Sequence, residues 1–318
     1  MVAVGLGAVA WGWLHAPLPM GSEPLELAIE PGTPPRSIAR DLERAGVRVD
    51  ARLLFAWFRL SGKVREIRAG NYEIPPGTTP LTLLDKLVRG EESLRSLTLV
   101  EGWTFRQVRA ALAREELRRD TADLDDAAIM QQLGRPGVPP EGRFFPDTYA
   151  YAKGSSDLAV LRRALHAMDR HLEAAWAQRS ADTPLKSADE ALILASIVEK
   201  ETGQAADRGQ IAGVFVNRLR AGMLLQTDPT VIYGLGEKFD GNLRKRDLQA
   251  DTPWNTYTRA GLPPTPIAMP GKAALMAAVQ PQATRALYFV ARGDGSSHFS
   301  ATLDEHNRAV QRYQLQKK

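Results

Sequence analysis

From Leu25 to Glu30 apolar and polar side chains alternate, the period of a half-buried strand. Pro31-Gly32-Thr33 is a turn. From Ser37 to Ala45 the apolar positions Ile38, Ala39 and Leu42 share one face of a helix, and Gly46 closes it. The same order returns 45 positions later: a strand-like Asn71 to Ile74, the turn Pro76-Gly77-Thr78, then Leu83, Leu84 and Leu87 before Gly90. Between the copies, Arg52 to Leu60 predicts a helix with Leu53, Leu54, Trp57 and Phe58 as its apolar face. Two strands with helices make residues 21–93 a small α+β module. A spacer and a glycan-binding domain are both open readings of it.

The pattern beyond it predicts a larger mixed α+β domain over 94–318. Leu97 to Val100 reads as a strand, Glu101 to Thr104 as a turn, and Phe105 to Leu117 as a helix. A helix near Asp126 to Leu133 and a Pro/Gly-rich loop from Pro136 to Pro146 follow. Residues 158–179 form an amphipathic helix with Leu161, Leu165, Met168 and Leu172 inward. Ser187 with Glu190 makes a capping box before a strongly apolar helix, Ala188 to Thr202. Asp207 to Ala221 is a further helix with Gly222 as its cap. A long irregular stretch, Met223 to Pro270, precedes a helix from Lys272 to Val279. Ala286 to Ala291 reads as a buried strand, and the last helix begins near Asp304.

Composition narrows the function classes. Lys and Arg number 41 against 37 Asp and Glu, a net charge of +4 with no basic stripe interleaved with aromatics, so nucleic acid is not an expected partner. The chain has no cysteine, which excludes disulfides and thiol-based metal or redox chemistry. His298 and His306 lack the further ligands a metal site needs. No Gly-rich nucleotide loop is present, and no cofactor is expected. Met1 to Leu14 holds only apolar residues and Gly, and the first charged side chain is Glu23. A span needs about 20 apolar residues, and Pro17 and Pro19 end this run early. One reading is the C-terminal part of a membrane anchor, residues 1–20, whose basic start is missing. The other is a buried N-terminal helix. Gly5, Gly7 and Gly12 weaken a soluble helix, and Trp11 and Trp13 suit a membrane interface, so the anchor is preferred.

The apolar helix ends in two carboxylates, Glu199 and Glu201. Residues two apart diverge by about 200° on a helix, so at most one of them faces a given cleft. Glu199 continues the packed surface of Ala195 and Ser196. Burial there raises a carboxyl's pKa, which suits a general acid. The bland alternative is a helix-end Glu paired with Lys200, Arg208 or Arg218. The run Gln226 to Tyr233, with Asn255 to Tyr257 and Gly261 to Pro264 after it, is dense in amides, hydroxyls and aromatics. Sugar sites are built from such groups, and so are ordinary Pro-terminated loops.

Several motifs occur together: Ser196-Ile-Val-Glu-Lys-Glu-Thr202, Val216-Asn-Arg-Leu219, Leu225-Gln-Thr-Asp-Pro-Thr-Val-Ile-Tyr-Gly234, Trp254-Asn-Thr-Tyr257 and Gly261-Leu-Pro-Pro264. Glu141-Gly with Phe145-Pro-Asp-Thr-Tyr149 lies before them, and His298-Phe-Ser with Glu305-His-Asn307 after. Over nearly the whole chain from Leu25 the sequence resembles the YceG-like (MltG) endolytic murein transglycosylases. The resemblance implies a single-pass inner-membrane anchor, a LysM-like domain at 21–93 and a periplasmic catalytic domain at 94–318. It implies cleavage between N-acetylmuramic acid and N-acetylglucosamine within nascent peptidoglycan strands, leaving 1,6-anhydro ends and limiting elongation. The partners implied are glycan strands, the inner membrane and peptidoglycan synthases. Glu199 is the catalytic residue so implied. Gln226, Asp228, Thr230, Tyr233, Asn255, Tyr257 and His298 are the expected substrate contacts. Two departures stand out: no basic residues precede the apolar start, and Arg143 occupies a position that is often aromatic in the family.

One carboxyl suffices for such a reaction. It protonates the leaving oxygen and then takes a proton from the muramic acid 6-hydroxyl, which attacks in place of water. A hydrolase would use two carboxylates, here Glu199 with Asp228. A muramidase of that kind and a non-catalytic glycan-binding scaffold are the two alternatives.

Overall fold

The computed structural model describes residues 2–91 and 93–315. Met1, Glu92 and residues 316–318, which fall in the expected anchor, small domain and catalytic domain, lie outside the described residues. The chain divides into two compact units. One is Met1–Ser96 with Ala150–Ser155, the other Leu97–Tyr149 with Ser156–Lys318.

In the smaller unit, helix α1 is Val2–His15. Strand β1 (Leu25–Ile29), helix α2 (Pro35–Ala45), helix α3 (Ala51–Leu60), strand β2 (Gly70–Ile74) and helix α4 (Pro80–Arg89) follow. β1 and β2 pair antiparallel, from Leu25 opposite Ile74 to Ile29 opposite Gly70. Alternation buries Leu27, Ile29, Tyr72 and Ile74, and the two helices that follow the strands cover them with Ile38, Leu42, Leu83 and Leu87. The sequence repeat is thus a repeated strand–helix unit. α2 ends on Gly46 at φ 119°, a conformation that favours glycine. Thr79 and Thr82 cap α4 reciprocally. The expected apolar face of α3 needs correction. Leu54 and Phe58 are buried, but Leu53 is 48% exposed, because the core meets only one side of a helix that is apolar nearly all round.

α1 is not the buried helix of the alternative reading: residues 7–12 are exposed. Trp13 packs against the small core and Leu18 is buried. Among the described residues no helix is long and apolar enough to cross a membrane.

Strand β3 (Leu94–Thr98) starts three residues before its expected position and pairs with β4 (Thr148–Ala152), which the hydrophobic pattern does not reveal. In β3 only Leu97 is buried, so alternation is faint. Helix α5 (Phe105–Leu112) stops before Leu117. The chain there turns aside so that Arg118 can bridge to Ser156 and accept from Asp157 N.

The larger unit continues with α6 (Asp126–Gln132), α7 (Asp157–Ala177), α8 (Ala188–Glu201) and α9 (Ala205–Arg220). The stretch expected to be irregular holds α10 (Asp228–Leu235) and α11 (Lys245–Gln249) before α12 (Lys272–Val279). β5 (Tyr288–Ala291) and β6 (Ser297–Ser300) form an antiparallel hairpin, and α13 is Leu303–Val310. α8 is the centre of the core. Its Ala191, Leu192, Leu194, Ala195, Ile197 and Val198 are fully buried among Met168 and Leu172 of α7, Ile211 and Phe215 of α9, and Ala274, Leu275 and Ala278 of α12. Gly213 lets α9 approach the segment before β5: a Cβ there would lie 2.6 Å from Gln282 O. Asn217 fastens the same segment through Thr284 O and Ala286 O.

Candidate active site

A helix buried on all sides carries whatever follows its last apolar turn into a desolvated setting. Ser187 Oγ accepts from Glu190 N to start α8. The matching bond of Glu190 reaches Lys186 N, one residue earlier than a reciprocal box requires. At the other end Glu199 and Glu201 diverge, and their surroundings differ.

Glu199 is half-buried against α12. Its Oε2 accepts from Gly271 N at 2.9 Å. Glu101 lies beside it, so close over Gly271 that a Cβ on that glycine would meet the Glu101 carboxylate. Burial raises the Glu199 pKa, the Gly271 bond opposes the rise, and the Glu101 charge adds to it. Among the described residues Glu199 makes no ion pair with Lys200, Arg208 or Arg218. Lys200 instead donates to Gly102 O.

Glu201 points the other way. Burial pushes its carboxyl up to about 7, against a hydrogen bond from Thr227 Oγ1. The Asp228 charge adds to the rise, and Arg218 opposes it. Glu201 lines a cavity of about 630 Å³ together with Arg218, Gln226, Asp228 and Tyr257. Tyr288 to Ala291 of β5, with His306 and Asn307 of α13, form another part of its wall. Arg218 is 8% exposed and held rigidly: Nε donates to Leu287 O, Nη1 to Leu224 O and Leu225 O, and the guanidinium lies 5.1 Å over the Tyr288 ring. That is a fixed positive charge in a wall with a hydrogen-bonding aromatic beside it.

Two loops meet over Glu201. Gln226 N donates to Thr256 O, Thr227 N to Thr256 Oγ1, and the Thr230 and Thr256 hydroxyls bond at 2.9 Å. Gln226 is the non-glycine residue with positive φ among the described residues, at 49°. Such a conformation costs on the order of 1 kcal/mol and is kept where the surroundings fix it. Here it turns the amide into the cavity. Asp228 Oδ1 accepts from Tyr257 Oη at 2.6 Å. Burial and that carboxylate raise the Tyr257 pKa, so the phenol remains a donor.

The expected site residues therefore separate. Gln226, Asp228 and Tyr257 line the cavity. Thr230 and Asn255 do not. Both are fully buried, and their polar groups are used inside the protein. Asn255 Nδ2 donates to Leu248 O and Ala250 O, and its Oδ1 accepts from Tyr257 N. Tyr233 is also spent internally. It bonds the Glu141 carboxyl and stacks edge-on with Trp254. His298 lies on β6 beside Arg292 and the Tyr313 ring and does not line the cavity. Nor does Glu199: the groups suited to a sugar gather on the Glu201 side of α8. Thr227, Arg218 and His306 stood inside the quoted motifs without being expected as substrate contacts, and Tyr288 carried no distinguishing signal in the sequence. Glu201 did, through the 200° divergence of about half a turn that puts one carboxylate of the pair in each direction.

A second buried acid supports this architecture. Glu141 is 6% exposed and accepts from Phe105 N at 3.0 Å, the first residue of α5. Burial pushes its carboxyl up to about 7. Gly142 beside it has φ 78° and packs so tightly on Pro266 that a side chain would collide with that ring. Arg143 pairs with Asp189 at 2.7 Å, close to the start of α8. Among the described residues no group of three His, Asp or Glu side chains is disposed to hold a metal ion.

A neutral acid near pH 7, a fixed guanidinium, an amide and a donor–acceptor Tyr–Asp pair can bind a polyhydroxylated ring and exchange one proton with it. Comparisons with known proteins give the family. The YceG-like family matches residues 27–312. An endolytic murein transglycosylase of Bacillus subtilis is 34% identical, over 77% of this chain and 73% of its own length. One from Streptococcus pneumoniae D39 is 28% identical over 89% of this chain, which spans 57% of that longer protein. The crystal structure of a yceG-like protein of Listeria monocytogenes aligns with a TM-score of 0.58 and 29% identity, covering 91% of this chain and 99% of that one.

Proposed function

The chain belongs to the YceG-like family, and from that premise we propose that it is an endolytic lytic transglycosylase of peptidoglycan. It cuts the bond between N-acetylmuramic acid and N-acetylglucosamine inside nascent strands and leaves 1,6-anhydro ends, which limits strand growth. The observation that carries the mechanism is the position of Glu201: a carboxyl protonated near neutrality, in the wall of the cavity that Gln226, Asp228, Tyr257 and Arg218 share.

The reaction needs no second carboxylate. The Glu201 carboxyl gives its proton to the glycosidic oxygen as the muramic acid C1–O bond breaks. The N-acetylglucosamine leaves with a free 4-hydroxyl. The carboxylate then takes the proton of the muramic acid 6-hydroxyl, whose oxygen closes on C1. Glu201 ends as it began, and no water is consumed. Thr227 holds one carboxyl oxygen and leaves the other for the proton. Tyr257, fixed on Asp228, and the Gln226 amide suit ring hydroxyls and acetamido groups.

Glu199 is the second reading, favoured by its raised pKa and by the motif resemblance. Product analysis on uncrosslinked glycan strands separates the two. We expect Glu201→Gln to stop cleavage and Glu199→Gln to retain it, with anhydro ends as product. Loss with Glu199→Gln alone would return the role to Glu199. Reducing ends would make the enzyme a muramidase, with Asp228 as its second acid.

The rest of the architecture fits a cell-wall enzyme. We assign the exposed apolar α1 to the membrane side of the protein and the β1–α2–β2–α4 unit to glycan binding as a LysM-like domain. The catalytic unit is then periplasmic, and acting on nascent strands places the enzyme beside peptidoglycan synthases.

A further inference from the structure

Eight of the ten residues of α3 are Ala, Leu, Phe or Trp. A surface helix has one apolar stripe, and a helix apolar all round is covered on more than one side. Here the core covers only the side of Ala51, Leu54 and Phe58. At about 100° per residue, Leu60, Leu53 and Trp57 fall within an arc of about 60°, with Leu53 and Leu60 turned away from the core and Trp57 at the edge, packed partly against it. Leu60 is 83% exposed and Leu53 48%. The outward stripe is continuous with other apolar surface of the same unit. Trp57 Nε1 donates to Pro80 O at the start of α4, where Leu81 is also exposed. α1, with Val9 and Trp11 exposed, packs beside α4.

Cations flank the stripe. Arg52 and Arg59 lie between the outward face and the core face of α3, and Lys63 and Arg65 follow in the next turn. All four are exposed, and none makes an ion pair among the described residues. Exposed Leu with a half-buried Trp at the edge and Arg and Lys alongside is the pattern of a helix lying in a membrane interface. A groove on a protein would have to present several anions in register with these cations. An anionic leaflet presents them wherever the helix lands.

We propose that α3 is a second membrane contact: its Leu53–Leu60 face, edged by Trp57, lies in the interface of an anionic bilayer, with Arg52, Arg59, Lys63 and Arg65 on the headgroups. The α3 surface belongs to the smaller unit and the catalytic cavity to the larger, and the proposal does not depend on the assignment of Glu201. The test uses the full chain and sedimentation with two kinds of vesicle, phosphatidylglycerol with phosphatidylethanolamine, and phosphatidylcholine alone. Leu53→Ser with Leu60→Ser should lower binding to the anionic vesicles by roughly tenfold. Arg52→Gln with Arg59→Gln should erase the preference for anionic over neutral vesicles at low salt. Amide exchange of residues 51–60 should slow when vesicles are present. Cleavage of soluble glycan strands by both variants should stay at the wild-type level, and their circular dichroism and calorimetric transitions should match wild type, which shows that the smaller unit carrying α3 is folded. Binding unchanged in both α3 variants, or lost only in Val9→Ser with Trp11→Ser, would show that α1 alone meets the bilayer and would overturn the proposal. So would a wild-type chain that ignores the anionic vesicles.

Discussion

Glu201 must hold a proton at the first step and be without one at the second. With its carboxyl pushed up to about 7, the active form on binding is lost above that value. kcat/KM should therefore fall about tenfold per pH unit above about pH 7. A profile flat to about pH 9 would exclude Glu201 as the acid. The same shift has a consequence for stability. The folded protein keeps this proton up to about pH 7, whereas the unfolded chain releases it near the ordinary Glu value. Unfolding thus releases a proton between those limits, and stability declines as pH rises through them. Glutamine has no such proton. Glu201→Gln should match wild type near pH 4 and exceed it by on the order of 1 kcal/mol or more at about pH 8. Denaturant titrations at the two pH values check this, and the shifted histidines, His171 and His306, are common to both proteins. The pair of acids was legible in the sequence, because helical geometry requires Glu199 and Glu201 to diverge. Which of them meets the cleft was not. That depends on β5 and α13, which lie far along the chain. Thr230 and Asn255 were ambiguous for a related reason: groups able to bond a sugar are equally able to fasten one loop to another.

At the scale of elements, long periodic segments were the readable ones. α7, α8, α9 and α12 each bury a face that their spacing already shows. α10 was hidden because Asp228-Pro229 signals a turn as strongly as it signals the first turn of a helix. β4 was hidden because its buried positions are tyrosines, whose hydroxyls make the alternation hard to read, and β6 because a four-residue, half-buried strand is defined by its partner. Close approach of elements is hidden more deeply. Gly213 sits in the middle of α9, where Ala would favour the helix by about 1 kcal/mol. Yet a Cβ there would stand 2.6 Å from Gln282 O and 2.8 Å from Thr284 Cγ2. The backbone oxygen cannot turn away as a side chain could. Gly213→Ala should therefore lower stability by about 1–3 kcal/mol in spite of its helix propensity. The displaced segment leads into β5, so KM should rise as well. A higher melting temperature for this variant would mean that α9 and the segment at Gln282 are less tightly fixed than they stand here.

The molecule as a whole has two cores. The smaller gathers Leu42, Phe58, Tyr72 and Leu83, and the larger is built around α8. The repeated strand–helix pattern made the smaller one readable. Its segment Ala150–Ser155 was not readable, because it returns from the middle of the other unit's sequence and no local signal marks the return. All the residues of the proposed catalytic cavity lie in the larger unit. Phe58 is fully buried in the smaller core. Phe58→Ala should cost about 3–5 kcal/mol there, comparable with the entire stability of a small domain. If each core holds its own unit together, calorimetry of the variant should show one transition moved to lower temperature and another unmoved. Cleavage of short soluble strands at room temperature should then persist, while binding to insoluble peptidoglycan falls with the loss of the LysM-like unit. A single transition that shifts as a whole, with cleavage lost in step, would instead mean that the larger core cannot stand without the smaller. The smaller unit would then be part of the catalyst's scaffold rather than only its hold on the wall.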